Sequence, residues 1–164
     1  MRDLIIFIPS IEGGGVEKNL FYLSNYIQSK FKNIYLITAD KFKINTFGKN
    51  IQLIMPNTTY FKNKNRFVKS LVCSYLLFKN FKKKKALVFS LQSNFFSIIF
   101  SKVINAKVII RLNTSPEKYI SNTYKRFFFK FLYGLADEII VNSYDFKKKL
   151  YKNFYLNSKV IFNP

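Results

Sequence analysis

Three consecutive glycines, Gly13, Gly14 and Gly15, stand a few residues after the first apolar run and directly before the first stretch of helical period. Lacking side chains, they let backbone N–H groups close on a ligand, and the helix start behind them carries partial positive charge. Such a loop suits a phosphate or carboxylate and is worth about 0.3–1 kcal/mol per anion in exposed geometry. A tight turn without a ligand would use the same residues. Glu17, one turn into the helix, either meets a ligand or stabilises the helix start. The run reads Gly-Gly-Gly-Val-Glu-Lys, which is not the dinucleotide fingerprint, and no Gly-Lys-Ser/Thr follows it, so a P-loop is excluded. Asp40 ends the second apolar run, where a ribose-binding acid would lie, and is read as a solvated turn residue.

A second group of polar residues, Gln92, Asn94, Arg111, Asn113 and Ser115, falls just beyond the carboxyl ends of two apolar runs. Ligands bind at that edge in open α/β sheets. Arg111 closes an apolar strand and is one of four arginines, which makes it a candidate anion or acceptor contact; a surface pairing with Glu117 is the alternative. Asn142 and Ser143 follow another strand in the same way, although Ser143 equally suits the cap of a helix starting near Asp145.

What is missing narrows the chemistry further. There is no His and a single Cys, which removes disulfide frameworks, Cys/His zinc sites and Ser-His or Cys-His catalysis. Eight scattered acidic residues suggest no metal site. Cys73 lies in the apolar run from Ser70 to Phe78 and reads as a buried structural thiol. The net charge of +20 would suit nucleic acid or an anionic membrane. Yet 24 of the 28 basic residues are Lys, whereas base and phosphate readers favour the planar Arg fork, and no nucleic-acid reader motif is present. Nucleic acid is therefore not an expected partner.

Positioning these residues requires short apolar strands alternating with longer helical stretches, the pattern of a parallel sheet covered by helices. Strands are expected at Leu4 to Ile8, Ile34 to Thr38, Ile51 to Met55, Ala86 to Ser90, Lys107 to Arg111, Glu138 to Val141 and Val160 to Phe162. Val16, Leu20, Leu23, Tyr26 and Ile27 form the apolar face of a helix from Val16 to Ser29. Further helices are expected at Arg66 to Asn80, continued by Lys82 to Lys85, and at Phe95 to Ile104, Asn122 to Tyr133 and Asp145 to Asn153. Gly134 stands where a helix would terminate. The 164 residues make one α/β, Rossmann-like domain, and the last strand running into Asn163-Pro164 reads as a domain boundary.

With these elements in place, the chain resembles the family 4 glycosyltransferases. The stretch from Pro9 to Leu20 is similar to that family's opening loop and helix. Three further segments agree in order: Ser90-Leu91-Gln92-Ser93-Asn94, Val108 to Pro116, and Ala136 to Ser143. Val160 to Pro164 resembles the segment that closes the family's N-terminal domain.

The resemblance covers nearly the whole chain and implies residues 1–164 as the acceptor-side half of a GT-B architecture, without the donor-binding domain and its paired glutamates. It implies Gly13, Gly14, Gly15 and Glu17 near donor phosphates and acceptor, with Gln92, Asn94, Arg111, Asn113, Ser115, Asn142 and Ser143 shaping the acceptor wall. It implies a nucleotide-sugar as substrate with no separate cofactor or metal, a polysaccharide, lipid-linked or glycan acceptor of the cell envelope, and little activity for this half alone. The chain lacks the His that many members carry near the acceptor.

No apolar run reaches the roughly 18 residues of a spanning helix, and the first run ends at Pro9 without a signal-peptide cleavage site. A cytoplasmic protein is expected, with peripheral contact on the inner face of an anionic membrane as an option. Lys125, Arg126 and Lys130 interleave with Phe127-Phe128-Phe129 and Phe131, which either pack into the core between solvated lysines or face lipid.

Overall fold

The computed structural model describes residues 3–11, 15, 18, 20, 22, 26–27, 30–40, 51–61, 63–82, 84–114 and 122–163. Its strands are β1 (Asp3–Phe7), β2 (Ile34–Ile37), β3 (Ile51–Ile54), β4 (Ala86–Ser90), β5 (Lys107–Leu112), β6 (Glu138–Val141) and β7 (Lys159–Val160). Four helices alternate with the later strands: α1 (Arg66–Phe81), α2 (Asn94–Val103), α3 (Thr123–Gly134) and α4 (Tyr144–Phe154). All strands pair in parallel in the order β3-β2-β1-β4-β5-β6-β7. This is the doubly wound arrangement, and the winding reverses direction between β1 and β4.

Both faces of the sheet centre are buried, so the central strands are mostly apolar, while the edge strands expose residues such as Gln52 and Lys159. Leu4, Ile6 and Ile8 join a core with Leu20 and Ile27, which are helical residues on one face. Ile5 and Phe7 point the other way, into a larger core with Leu77 of α1, Ile98 of α2, Phe129 of α3 and Phe154 of α4. Each such side chain contributes about 1.5–3 kcal/mol relative to exposure. Asn65, Asn122 and Ser143 cap α1, α3 and α4 by accepting from Val68, Tyr124 and Phe146 backbone N–H groups.

Several expectations need correction. Tyr26 does not belong to the apolar face; it is 73% exposed while Leu20 and Ile27 are buried. The lysine run does not extend α1, which ends at Phe81 in a turn closed by Lys84 N–H donating to the Phe81 carbonyl. A further turn would set Lys79, Lys82 and Lys85 one above another at spacings of three, where like charges repel, and β4 must begin at Ala86. Gly134 is the last helical residue rather than a terminator, with Leu135 a right-handed C-cap. A Cβ on Gly134 would meet Leu156 at an ordinary 3.7 Å, so the position demands no glycine. The last strand starts earlier and ends sooner than expected, and Ile161 and Phe162 are exposed beyond it.

Asp137 secures the turn into β6 by accepting from Val108 N–H at 2.8 Å and from Lys102 Nζ at 2.9 Å. Partial burial alone would raise its pKa, but these two hydrogen bonds, with the fields of Lys102 and Lys107, outweigh it and hold the carboxyl below its usual 3.8. A carboxyl depressed on folding stabilises the native state above its unfolded pKa and loses that contribution as pH falls through the folded one. Asp137→Asn should therefore show a shallower loss of stability below pH 3.8 than the parent, read from denaturant midpoints across acid pH. Parallel acid limbs would remove this role.

Candidate acceptor and anion site

Between the carboxyl ends of β4 and β5 lies a cavity of about 640 Å³. The β4–α2 connection and the first turn of α2 supply Leu91 to Phe96. The start of α1 supplies Arg66, Phe67 and Ser70. The end of β5 supplies Arg111 to Thr114, and α3 closes the far side with Lys125, Phe128 and Tyr133 among others. The volume falls within the range of sites for organic ligands.

Four of the expected site residues meet here. Arg111 is 8% exposed; its Nη2 donates to the Ile161 carbonyl at 3.2 Å and to Asn163 Oδ1 at 2.7 Å, and its Nε is buried without a partner. It is thus not a surface arginine; Glu117, its proposed partner, lies outside the described residues. Burial lowers the guanidinium pKa from its usual value. Gln92 carries a second orphan, a buried Oε1 with no hydrogen bond. Asn94 accepts from Ser90 Oγ at 2.8 Å and donates to the Arg111 carbonyl at 2.9 Å, so its amide ties β4 to β5. Asn113 is exposed and donates to the Leu91 carbonyl at 2.9 Å.

The remaining candidates lie elsewhere. Asn142 and Ser143 follow β6 but do not line the cavity, and Ser143 Oγ accepts from Phe146 N–H, the capping role. Gly15 is helical and exposed, with open space where a Cβ would stand, and it does not line the cavity. Gly13, Gly14, Glu17 and Ser115 lie outside the described residues.

The loop after β1 is nonetheless anchored, by a residue read from the sequence as solvated. Asp40 is buried: its Oδ1 meets Lys69 Nζ at 2.7 Å, while Oδ2 accepts from Ile11 N–H at 2.9 Å and Ser10 Oγ at 3.2 Å. The carboxylate is occupied in holding the segment that leads to the glycines, and Lys69 reaches it from α1. The signal in the sequence was a lysine beside serines on the stripe Ser70, Cys73, Ser74, Leu77, which is the buried side of α1. A buried lysine needs a counter-charge. Next to it Ser70 Oγ and Ser93 Oγ lie 2.6 Å apart, and Ser93 holds a left-handed backbone, φ 54° and ψ 43°, at the cavity wall. Non-glycine residues held this way cost on the order of 1 kcal/mol and concentrate at functional sites.

No protein-family profile matches the chain, and no curated protein does. Solved structures match in fold. The Anabaena protein Alr3699/HepE, in complex with UDP and glucose, superposes with a TM-score of 0.70 at 13% identity, over 99% of this chain and 45% of that one. The lipopolysaccharide outer core galactosyltransferase WaaB gives 0.65 at 13% identity, over 100% and 46%. A UGT transferase from Siraitia grosvenorii in complex with UDP gives 0.52 at 8% identity, over 94% and 48%. The chain therefore has the Rossmann-like α/β fold of these structures and spans less than half the length of each.

Proposed function

We propose that the chain is the acceptor-side half of a GT-B glycosyltransferase that moves a sugar from a nucleotide-sugar donor to a polysaccharide, lipid or glycan acceptor of the cell envelope. The observation that carries this reading is the gathering of Gln92, Asn94, Arg111 and Asn113 around one cavity at the carboxyl edge of the sheet. The fold neighbours crystallised with UDP or UDP-glucose support a nucleotide-sugar as donor. The resemblance to family 4 assigns this half the acceptor wall and part of a phosphate cradle at Gly13 to Gly15. The test is transfer from a panel of activated sugars by the complete gene product. Absence of transfer to every envelope acceptor rejects the reading, and donor binding without turnover would indicate a binding module instead.

Gly15 offers a sharper probe of the cradle. With open space at its Cβ position, Gly15→Ala should stabilise the helix by about 0.5–1 kcal/mol. If the loop closes on phosphates, the same methyl should weaken nucleotide-sugar affinity several-fold; unchanged affinity would place the donor elsewhere.

The reading includes peripheral membrane contact, because α3 turns most of its aromatics outward and sends only Phe129 deep into the core. Tyr124, Phe127, Phe128 and Phe131 are 84, 71, 52 and 61% exposed, with Lys125, Arg126 and Lys130 among them. Phe67, Leu71, Tyr75 and Phe78 make a second exposed stripe on α1. Among the described residues no helix is long and apolar enough to cross a membrane. Each basic residue near an anionic leaflet contributes about 1 kcal/mol. Flotation with phosphatidylserine-containing vesicles should recover the protein at low salt, and Phe127→Ser/Phe131→Ser should abolish recovery. Recovery unaffected by salt or by this pair argues against the contact.

A further inference from the structure

We propose that the β4–β5 cavity recognises an anionic amphiphile, an acceptor in which a phosphate or carboxylate is joined to an apolar or ring-bearing body. The inference rests on the reading of this cavity as the acceptor side and names the acceptor's chemistry.

Charge is the first argument. Arg111 and Lys125 are cations in the cavity lining, and among the described residues no carboxylate lines it. Two of the chain's four arginines stand in this one wall. Lys69, also buried, has Asp40 against it, whereas Arg111 has no carboxylate partner among the described residues and keeps one buried N–H unbonded. A guanidinium withdrawn from water without a counter-charge is a costly arrangement that an incoming anion relieves. Helices α1 and α2, of 16 and 10 residues, both begin at the cavity, and their positive ends add to the same field.

The second argument is the rest of the lining. Gln92 Oε1 is buried and unbonded in the same cavity. A ligand hydroxyl can donate or accept, so it would satisfy that amide in either orientation. Phe67 packs edge-on against Phe96 at 5.4 Å, and Phe95 lies 5.8 Å from Phe128. Phe67 and Phe128 remain more than half exposed, which leaves aromatic surface for an apolar chain or the face of a sugar ring. A bare inorganic anion would use the cations and leave the orphaned amide and the rings uncovered.

Calorimetric titration of the full-length chain tests this with four probes: inorganic phosphate, farnesyl phosphate below its micellar concentration, farnesol, and a hexose 1-phosphate. The organic phosphates should bind at least about tenfold more tightly than inorganic phosphate, and farnesyl phosphate at least about tenfold more tightly than farnesol, the scale of one charge-assisted contact. Preference between farnesyl phosphate and hexose phosphate identifies a lipid-borne or a water-borne acceptor. Arg111→Gln should weaken the organic phosphates by about tenfold or more. Because Arg111 also holds the Ile161–Asn163 segment, Lys125→Gln serves as a second variant: it should lower affinity with an unchanged melting temperature.

Equal binding of farnesyl phosphate and farnesol overturns the proposal, as does inorganic phosphate binding as tightly as the organic anions, or affinity unmoved by both variants. Nucleotide-sugar titration of the same preparation separates the two readings. Donor binding without anion selectivity rejects only this inference. Anion selectivity with no donor binding or turnover by the complete gene product rejects the transferase reading and leaves the site standing.

Discussion

Lys69→Met is expected to destabilise the chain by about 3–5 kcal/mol, because it leaves Asp40 as a buried carboxylate with its cation removed. That is a large part of the 5–15 kcal/mol typical of a domain, so the variant should be close to unfolding at room temperature. The Lys69 and Asp40 side chains are only 9 and 12% exposed, which keeps water from replacing the lost partner. The double variant Lys69→Met/Asp40→Leu should recover much of the loss, since a buried pair exchanged for apolar groups is often neutral. It would still release Ser10 and Ile11 from their shared acceptor, so, if the loop that follows cradles the donor as proposed, nucleotide-sugar binding should stay weak even where the fold returns. Urea midpoints of the two variants decide the matter. A loss below about 1 kcal/mol for Lys69→Met would mean that solvent reaches Asp40.

The second large effect concerns the thiol one turn further along α1. Cys73 is fully buried, and burial above all, reinforced by the Asp40 carboxylate and opposed by Lys69, pushes its pKa far above that of a free thiol. Native Cys73 should therefore be inert to Ellman's reagent near neutral pH. With a stability of at least about 5 kcal/mol, fewer than about one molecule in a thousand is globally open at any moment. Labelling should accordingly run about a thousandfold or more slower than in urea, and its rate should follow the unfolding midpoint. Fast labelling without denaturant would show that α1 lifts from the sheet on its own.

Much of the fold was legible because strands buried on both faces must be apolar along their length. Ala86–Ser90 and Glu138–Val141 coincide with the expected strands, and the other strands shift by one or two residues at one or both ends. The start of α4 was legible through Ser143, whose side chain does cap, whereas Asn122, expected as the first helical residue of α3, is its cap. Legibility failed where a polar residue's partner lies far along the chain. Asp40 finds Lys69 from 29 residues away, and Arg111 finds Asn163 from 52 away. Periodicity carries no trace of such pairings. The aromatics of α3 were ambiguous for a different reason: three phenylalanines in a row occupy every side of a helix, and of these only Phe129 turns inward, stacked on Tyr133 and tilted against Phe154. For the site, the rule that ligands meet strand ends located Gln92 and Arg111, while Arg66 and Lys125 enter it from helices that the rule does not mention.

The outward aromatic stripes also govern how copies of the chain behave toward one another. At low ionic strength a charge of +20 holds molecules apart at distances where the phenylalanines cannot touch. Around 0.1 M salt the screening length shrinks to about 10 Å, and like-charged molecules can approach until α1 and α3 meet their counterparts. Salt thus pulls in two directions, loosening any hold on an anionic bilayer while promoting clustering in free solution. A colloid of this kind is best stored dilute and salt-poor, the reverse of the usual practice for a cationic protein.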